Sequence, residues 1–266
     1  MTQNIHPTAI VSSQAQLGSD IEIGPYCVIG DQVKIDDGTI IKSHSVIEGD
    51  TEIGKNNIIF PFTTIGVVPQ DLKFTGEASK LIIGDNNRIR EHVTIHLGTK
   101  DGSMVTKIGN DCLLMVGVHV AHDCEIGNNV IMANNATLAG HVIIEDNVVI
   151  GGLSAIHQFV RIGKGAMIGG MSGIEGDVIP YGLAMGERAS LVGLNLVGMK
   201  RSKIEKDEIF SLQKFIKQLY GDDSKNLNEK IDNISKKFSS NTVKEVIDFI
   251  KSDSSRSLCK VKQGRI

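Results

Sequence analysis

A period of six residues runs through most of this 266-residue chain. Steps of six from Ile5 to Ile65, from Ile83 to Ile95 and from Ile108 to Ile174 visit 26 positions, all of them aliphatic and 20 of them isoleucine. Helices repeat every 3.6 residues and strands every 2.0, so neither produces this spacing. A parallel β-helix does, because each hexad forms one flat side with its aliphatic residue inward, and three sides complete a coil of about 18 residues.

The composition fits a core of stacked aliphatic layers, since only 4% of residues are aromatic and none is tryptophan. Glycines often follow the inward residue, and asparagine pairs such as Asn56-Asn57 suit corners that need unusual backbone angles. Cys27, Cys112 and Cys124 each fall four residues after an inward aliphatic position and form no CxxC pair. We therefore expect these thiols to fill the core rather than to bind metal.

Two breaks in the period and a helical tail define the domains. Between Ile65 and Ile83 the positions of the six-residue period hold acidic residues, which cannot line an apolar core. Between Ile95 and Ile108 the spacing is not a multiple of six. These two breaks predict outward loops at about 66–82 and 97–107. Helical spacing of apolar residues begins near residue 200 and first ends at Gly221, and two shorter helices are expected at 227–238 and 241–252. The prediction is a β-helix over 1–190 and a helical domain over 191–266.

Charge and hydropathy exclude several classes of protein. The formal net charge is −3, whereas a nucleic-acid-binding protein normally shows a basic face. No run reaches the roughly 18 apolar residues of a membrane span, so no transmembrane segment is expected. The first residues lack the basic and then apolar pattern of a signal peptide, and we expect a cytoplasmic protein.

The stretch GVHVAHDCEIG at 117–127 places polar groups in an otherwise apolar repeat. His122, His141 and His157 are 19 and 16 residues apart, close to one coil, so they should form a rough column with His119 nearby. A neutral imidazole is a competent general base at pH 7 when a carboxylate such as Asp123 orients its other nitrogen. Several clustered histidines can also bind zinc, and the spacing leaves both chemistries open.

The order of the motifs outside the repeat is more specific than the repeat. The motifs are PQDLKF at 69–74, RIRE at 88–91, TIH at 94–96, HVAHDC at 119–124, NNATLAGHV at 134–142, HQF at 157–159 and LVGMKR at 196–201. Together they resemble the UDP-N-acetylglucosamine O-acyltransferases that start lipid A synthesis, over nearly the whole chain. The resemblance implies an all-β left-handed parallel β-helix, a hexapeptide-repeat solenoid, with a C-terminal α-helical domain.

The resemblance also implies a reaction. An (R)-3-hydroxyacyl chain would pass directly from acyl carrier protein to a UDP-amino sugar, without metal or cofactor, in a homotrimer. His122 would be the general base, Asp123 would support it, and the backbone N–H of Gly140 would bind the oxyanion. The residues that match substrate contacts are Asp71, Lys73, His119, His141, His157, Gln158, Asn195 and Arg201.

Three further positions concern specificity. Gly170 matches the position that sets acyl-chain length, and its missing side chain suggests a long groove. Arg188 stands where many relatives have histidine near the end of that groove, and Val197 replaces an acidic residue near the nucleotide. Both departures leave the corresponding specificity open. The sequence also leaves open whether the acceptor carries a 3-hydroxyl or a 3-amino group.

Three alternatives remain at this stage. A zinc enzyme resembling the γ-class carbonic anhydrases would use the histidines as ligands, but it leaves the loop motifs unexplained. A non-catalytic spacer leaves the polar cluster unexplained. The N-acyltransferase of the same pathway has an extra N-terminal domain before its repeats, whereas here the hexads begin at Ile5. The sequence does not tell which subunit supplies which site residue.

Overall fold

The computed structural model describes residues 3–221 and 227–262, which form 28 short strands and four α-helices. In chain order the strands are β1 Gln3–Ile5, β2 Ile10–Val11, β3 Gln16–Leu17, β4 Ile21–Ile23, β5 Val28–Ile29, β6 Lys34–Ile35, β7 Ile40–Ile41, β8 Val46–Ile47, β9 Asp50–Ile53, β10 Ile58–Ile59, β11 Thr64–Val67, β12 Lys80–Ile83, β13 Arg88–Ile89, β14 Thr94–His96, β15 Val105–Ile108, β16 Leu113–Leu114, β17 His119–Val120, β18 Glu125–Ile126, β19 Ile131–Met132, β20 Thr137–Leu138, β21 Ile143–Ile144, β22 Val149–Ile150, β23 Ala155–Ile156, β24 Arg161–Ile162, β25 Met167–Ile168, β26 Gly173–Ile174, β27 Gly182–Met185 and β28 Ser190–Leu194. Every third strand joins the same sheet, which gives three sheets of 11, 9 and 8 strands among the described residues.

The strand register confirms a coil of 18 residues. Ile23 pairs with Ile41 and Ile41 pairs with Ile59, always in parallel. The hairpin of β27 and β28 is the antiparallel pair that ends the first sheet. The asparagine pairs do lie at corners, where residues such as Asn56 and Asn129 have positive φ.

The periodic aliphatic residues form the core from Ile23 to Ile174, each less than 9% exposed. The three periodic residues before Ile23 are less covered: Ile5 is 37% exposed, and Val11 and Leu17 are partly buried, because their strands β1, β2 and β3 are edge strands of the described sheets. Cys27, Cys112 and Cys124 are buried and free, as expected for core-filling residues.

Two loops leave the β-helix, one after β11 and one after β14. The strands on either side leave residues 68–79 and 97–104 outside the sheets, somewhat shorter than expected from the sequence. The flanking coils stay in register: Ile59 pairs with Ile89, and Ile83 pairs with Ile108. The excursions therefore add surface loops without disturbing the core.

The C-terminal helices are α1 Leu196–Arg201, α2 Lys206–Tyr220, α3 Leu227–Ile234 and α4 Asn241–Lys251. The second helix ends at Gly221, as expected, whereas α1 is a short helix that the sequence did not predict. Helices α3 and α4 pack on α2, and the Glu208 carboxylate accepts N–H bonds from the first turn of α4. None of the described helices combines the length and apolar character needed to cross a bilayer.

Candidate active site

His122 and Asp123 lie in the corner turn between β17 and β18, where two sheets of the β-helix meet. Both are almost fully buried, at 6% and 5% exposed. Asp123 takes the left-handed backbone conformation of the corner, with a φ of 57°. The corner thus turns two adjacent polar side chains toward the two loops instead of into the aliphatic core.

Hydrogen bonds hold the Asp123 carboxylate from several sides. The Thr99 hydroxyl donates to Oδ2 at 2.6 Å, and the Thr99 backbone N–H lies 3.0 and 3.1 Å from the two oxygens. His122 Nδ1 lies 2.9 Å from Oδ2. Burial by itself would raise the pKa of Asp123, but the hydrogen bonds from His122 and Thr99 outweigh it and lower the pKa. Asp123 is therefore an ionised acceptor.

The Asp123 carboxylate determines the tautomer of His122. An ionised carboxylate only accepts, so Nδ1 must carry a proton, and in the neutral ring Nε2 carries the lone pair. Nε2 faces the loop 68–79, where Asp71 Oδ2 lies 4.0 Å away. This pair is too far apart for a hydrogen bond, yet close enough to stabilise an imidazolium. The arrangement is that of an oriented general base.

Three further histidines surround His122. The His141 ring meets it edge-on with centroids 4.9 Å apart, and the His119 ring meets His96 in the same manner. Burial, as the main cause, lowers the pKa of His141, His119 and His96, and neighbouring imidazoles add to the effect; for His96 the pKa falls to about 4. These rings are therefore neutral at pH 7 and present hydrogen-bonding groups rather than charges.

The predicted histidine column is confirmed for His122 and His141, and His157 lies at the start of the equivalent turn of the next coil but does not stack on His141. The ring stacked on His141 is Phe159, with centroids 4.4 Å apart and planes 3° from parallel. His157 lies two residues earlier, so its ring is at the end of a strand rather than at the corner. The spacing of 16 is two short of a full coil, which accounts for the shift. His157 and Gln158 are exposed.

Gly140 lies against the ring of His122. A Cβ at this position would be 2.4 Å from His122 Cε1, so no side chain fits beside the imidazole. Within the described residues, no acceptor pairs with the Gly140 N–H, which leaves it free to donate. The N–H groups of His122 and Gln158, at the same turn position of adjacent coils, share this property. Contact with the His122 ring therefore distinguishes Gly140.

The two loops are joined beside this corner. The Glu77 carboxylate accepts from the backbone N–H of Lys100 at 3.0 Å and from that of Thr75 at 2.9 Å. These bonds, with that of Lys100 first, lower the pKa of Glu77 to about 2. Lys73 is exposed and lies 3.5 Å from Asp101 across the loops. The loops thus form one wall of the site, with Asp71 and Lys73 on it.

The remaining candidate residues lie elsewhere on the chain. Asn195 and Arg201 line a groove of about 670 Å³ beside β19 and β22, on a different sheet from His119. Asn195 caps α1 by accepting from the Gly198 N–H, and its amide donates to the Gly165 carbonyl. A single chain therefore does not bring this groove and the histidine corner together.

The three positions expected to affect specificity, Gly170, Arg188 and Val197, are on the surface. A Cβ at Gly170 would lie 3.3 Å from the Gly152 carbonyl oxygen, a tight but not prohibitive contact, and the neighbouring Met171 is 72% exposed. Arg188 forms an exposed ion pair with Glu175 at 2.9 Å. Val197 is also exposed, near the start of α1.

A metal would compete with bonds that this corner already makes. His122, Asp123 and His141 offer ligand atoms within 4.8 Å of one another. Yet His122 Nδ1 and Asp123 Oδ2 are bonded to each other, and Thr99 occupies the same carboxylate. A zinc ion that used these atoms would have to displace those bonds. The donor set suits an aspartate-oriented base better than a zinc site.

Sequence reasoning missed two residues that support the site, His96 and Thr99. His96 is 3% exposed, and its Nδ1 accepts weakly from the Gln70 N–H at 3.4 Å, next to Asp71. Thr99 supplies both a hydroxyl and an N–H to Asp123. TIH at 94–96 marked the first residue, but nothing in the local sequence indicates that Thr99 reaches a carboxylate in a neighbouring coil.

Comparison with known proteins agrees with this geometry. Residues 177–259 match the family model described as UDP-N-acetylglucosamine O-acyltransferase, domain 2. Residues 14–49 and 106–140 match bacterial transferase hexapeptide repeats. The first match includes the helical domain, so it is more specific than the repeats alone.

Similar chains extend the match to nearly full length. A protein of Rickettsia canadensis named acyl-[acyl-carrier-protein]–UDP-N-acetylglucosamine O-acyltransferase is 52% identical, over 96% of this chain and 97% of its own. The UDP-N-acetylglucosamine acyltransferase structure from Campylobacter jejuni covers 97% of this chain and all of its own at 40% identity and a TM-score of 0.91. The O-acyltransferase structure from Moraxella catarrhalis covers 96% and 99% at 42% identity, with the same score. These neighbours confirm the expected left-handed β-helix with a C-terminal helical domain.

Proposed function

Because the chain belongs to the UDP-N-acetylglucosamine O-acyltransferase family, we propose that it transfers an (R)-3-hydroxyacyl chain from acyl carrier protein to the 3-position of UDP-N-acetylglucosamine. This reaction is the first step of lipid A biosynthesis. The observation that carries the mechanism is the His122–Asp123 bond, since it places a proton on Nδ1 and leaves Nε2 as the nitrogen that can act as a base, directed out of the corner toward the loop.

The proposed chemistry is direct attack on the thioester. His122 Nε2 accepts the proton of the sugar 3-hydroxyl while its oxygen bonds to the thioester carbon. The tetrahedral oxyanion is stabilised by the Gly140 N–H, and such a donor contributes several kcal/mol of barrier lowering. Collapse breaks the carbon–sulfur bond, and the departing thiolate takes back the proton from His122. Asp123, and Asp71 at 4.0 Å, stabilise the imidazolium between these steps.

No acyl-cysteine is part of this scheme. Cys124 follows the base directly, but its side chain is fully buried and points at the Ala139 carbonyl at 3.2 Å. Burial raises the pKa of the thiol to about 12, so the nucleophilic thiolate is absent at neutral pH.

Substrate binding is proposed to use both regions that the single chain separates. Asp71, Lys73, His119 and His141 would contact the amino sugar at the corner, with His157 and Gln158 on the adjacent coil. Asn195 and Arg201 would bind the nucleotide, where a guanidinium suits phosphate. Because these two regions lie on different faces, a complete site needs a second copy of the chain. We therefore propose a homotrimer with threefold symmetry in the cytoplasm.

Mixed trimers test the shared site. His122→Ala and Arg201→Ala subunits would each be inactive alone, and they would regain activity when unfolded and refolded together, because some interfaces then combine an intact corner with an intact groove. Light scattering on the same samples measures the assembly. Mixed trimers that stay inactive, or a monomer with full activity, would exclude the shared site.

The acyl chain is proposed to run past Gly170. The backbone there does not demand glycine, so the missing side chain is available to the ligand. Gly170→Met should shift the preferred donor to shorter chains, whereas the exposed Lys251→Ala should not. An unchanged preference in Gly170→Met would remove Gly170 from the groove.

The reaction is tested with purified protein and acyl carrier protein thioesters of several lengths. UDP-N-acetylglucosamine and its 3-amino analogue are offered separately, and products are identified by mass spectrometry. We expect acylation at the 3-position and at least a 10³-fold lower turnover in His122→Ala, in line with general-base loss. Wild-type turnover in His122→Ala would show that the base is assigned wrongly.

A further inference from the structure

The C-terminal residues 252–262 return from α4 along the last coils, and we name them the C-terminal strap. Leu258 bridges to Asp177, and Val261 bridges to Leu191. The Asp177 N–H donates to the Ser257 carbonyl at 2.9 Å, and the Cys259 N–H donates back to Asp177 at 2.7 Å. The strap is therefore bonded to the β-helix rather than lying loosely on it.

A buried ion pair anchors the start of the strap. Asp177 is 1% exposed, and its Oδ2 accepts from Arg161 Nε at 2.8 Å and from the Ser254 hydroxyl at 2.6 Å. The Arg161 guanidinium also lies 4.4 Å over the Phe249 ring of α4. Breaking such a pair leaves a buried charge uncompensated, so the strap has a well-defined path.

The anchored strap brings Arg256 to His157. Arg256 Nη2 lies 2.7 Å from His157 Nδ1, and Nε donates to the Gln158 carbonyl at 2.9 Å. Arginine has donors and no acceptor, so Nδ1 must supply the lone pair. The proton of the His157 ring is therefore on Nε2, whereas in His122 Nδ1 carries it. The second bond fixes the guanidinium to the backbone, so that it holds the ring in one orientation.

We propose that Arg256 is a positioning residue for substrate binding: it holds His157 as an exposed Nε2–H donor for an oxygen of the bound UDP-amino sugar. This inference rests on the proposed function, which places His157 in the substrate site. It assigns the helical domain a role in that site, since the strap begins where α4 ends. Arg256 does not touch the reacting atoms.

The test is a double-mutant cycle with UDP-N-acetylglucosamine as the probe. Arg256→Ala should raise the calorimetric Kd and the KM for the sugar nucleotide about tenfold and change kcat less than threefold, because a binding contact is lost. Arg256→Lys keeps one donor and should recover part of the affinity. In the His157→Ala background, Arg256→Ala should raise the Kd for the sugar nucleotide by less than a further twofold, because its effect passes through the imidazole.

Stability measurements separate positioning from folding. Thermal midpoint and trimer mass are recorded for every variant, and Lys251→Ala, an exposed cation that pairs with Asp232 just before the strap, is the matched control. The proposal would be overturned if the two substitutions weakened nucleotide binding independently, so that their effects on Kd multiply in the double variant. Wild-type affinity in Arg256→Ala would overturn it as well. A wild-type protein that binds the nucleotide but does not transfer acyl groups would instead refute the proposed function alone.

Discussion

Gly140→Ala isolates the contact between the proposed oxyanion turn and His122, the proposed base. The added Cβ would lie 2.4 Å from His122 Cε1 and 2.6 Å from Nε2, whereas atoms in contact need about 3.5 Å, so the ring must move by about 1 Å. The ring is held at Nδ1 by Asp123, so this movement stretches the 2.9 Å bond that orients the base. Alanine keeps the backbone N–H, and the oxyanion donor is unchanged.

A displacement of about 1 Å at a catalytic group costs about 100-fold in rate. We therefore expect kcat of Gly140→Ala to fall about 100-fold in the thioester assay, with KM for the sugar nucleotide changed less than threefold. The thermal midpoint should fall by no more than a few degrees, because Gly140 is outside the aliphatic core. Gly30→Ala, whose Cβ would meet Glu48 at 3.3 Å in an N-terminal coil, is the matched control and should keep wild-type turnover.

The His122→Ala background provides the decisive comparison. Without the imidazole the alanine methyl has room, so Gly140→Ala should cost less than threefold there. Wild-type turnover in Gly140→Ala would refute the reasoning, because the ring would then tolerate the methyl group. An equal 100-fold loss in both backgrounds would refute it as well, since the effect would not pass through the imidazole.

Three other outcomes are expected. Cys124→Ala should keep turnover within twofold and lose about 1 kcal/mol of stability from the small cavity, measured by urea unfolding alongside the thioester assay; loss of turnover would indicate an acyl-cysteine. The pKa of His96 is about 4 in the folded protein against 6.5 ordinarily, so between these values the unfolded chain binds a proton that the folded chain does not. Its contribution to stability is therefore full above pH 6.5 and is lost as pH falls toward 4, and the thermal midpoint should fall more steeply over that range than in His96→Asn; parallel curves would contradict this. Elemental analysis should find far less than one zinc per chain, and dialysis against a chelator should leave turnover unchanged. If dialysis abolished turnover and added zinc restored it, the histidine corner would be a zinc site instead.

The repeat made the fold readable from the sequence. Each inward aliphatic residue recurs at a fixed interval, and each coil contacts its neighbours at 18 residues, so sequence distance maps directly onto position. The break before Ile83 predicted a loop because it interrupts this register, whereas the helix that ends at Gly221 was predicted from its own helical spacing of apolar residues. The same arithmetic placed His122 beside His141, since both lie at corners of adjacent coils.

The rest depended on contacts that no repeat encodes. His157 is two residues short of a full coil, and only the structure showed Phe159 stacked on His141 in its place. Thr99 reaches Asp123 from a loop, and Arg256 reaches His157 from the C-terminal strap across 99 positions of sequence. Loops and straps leave the periodic lattice, so their residues have no register to count from. Sequence alone therefore determined the scaffold and the corner that holds His122, while tertiary packing decided which side chains orient the His122 and His157 rings, because those contacts come from segments outside the repeat.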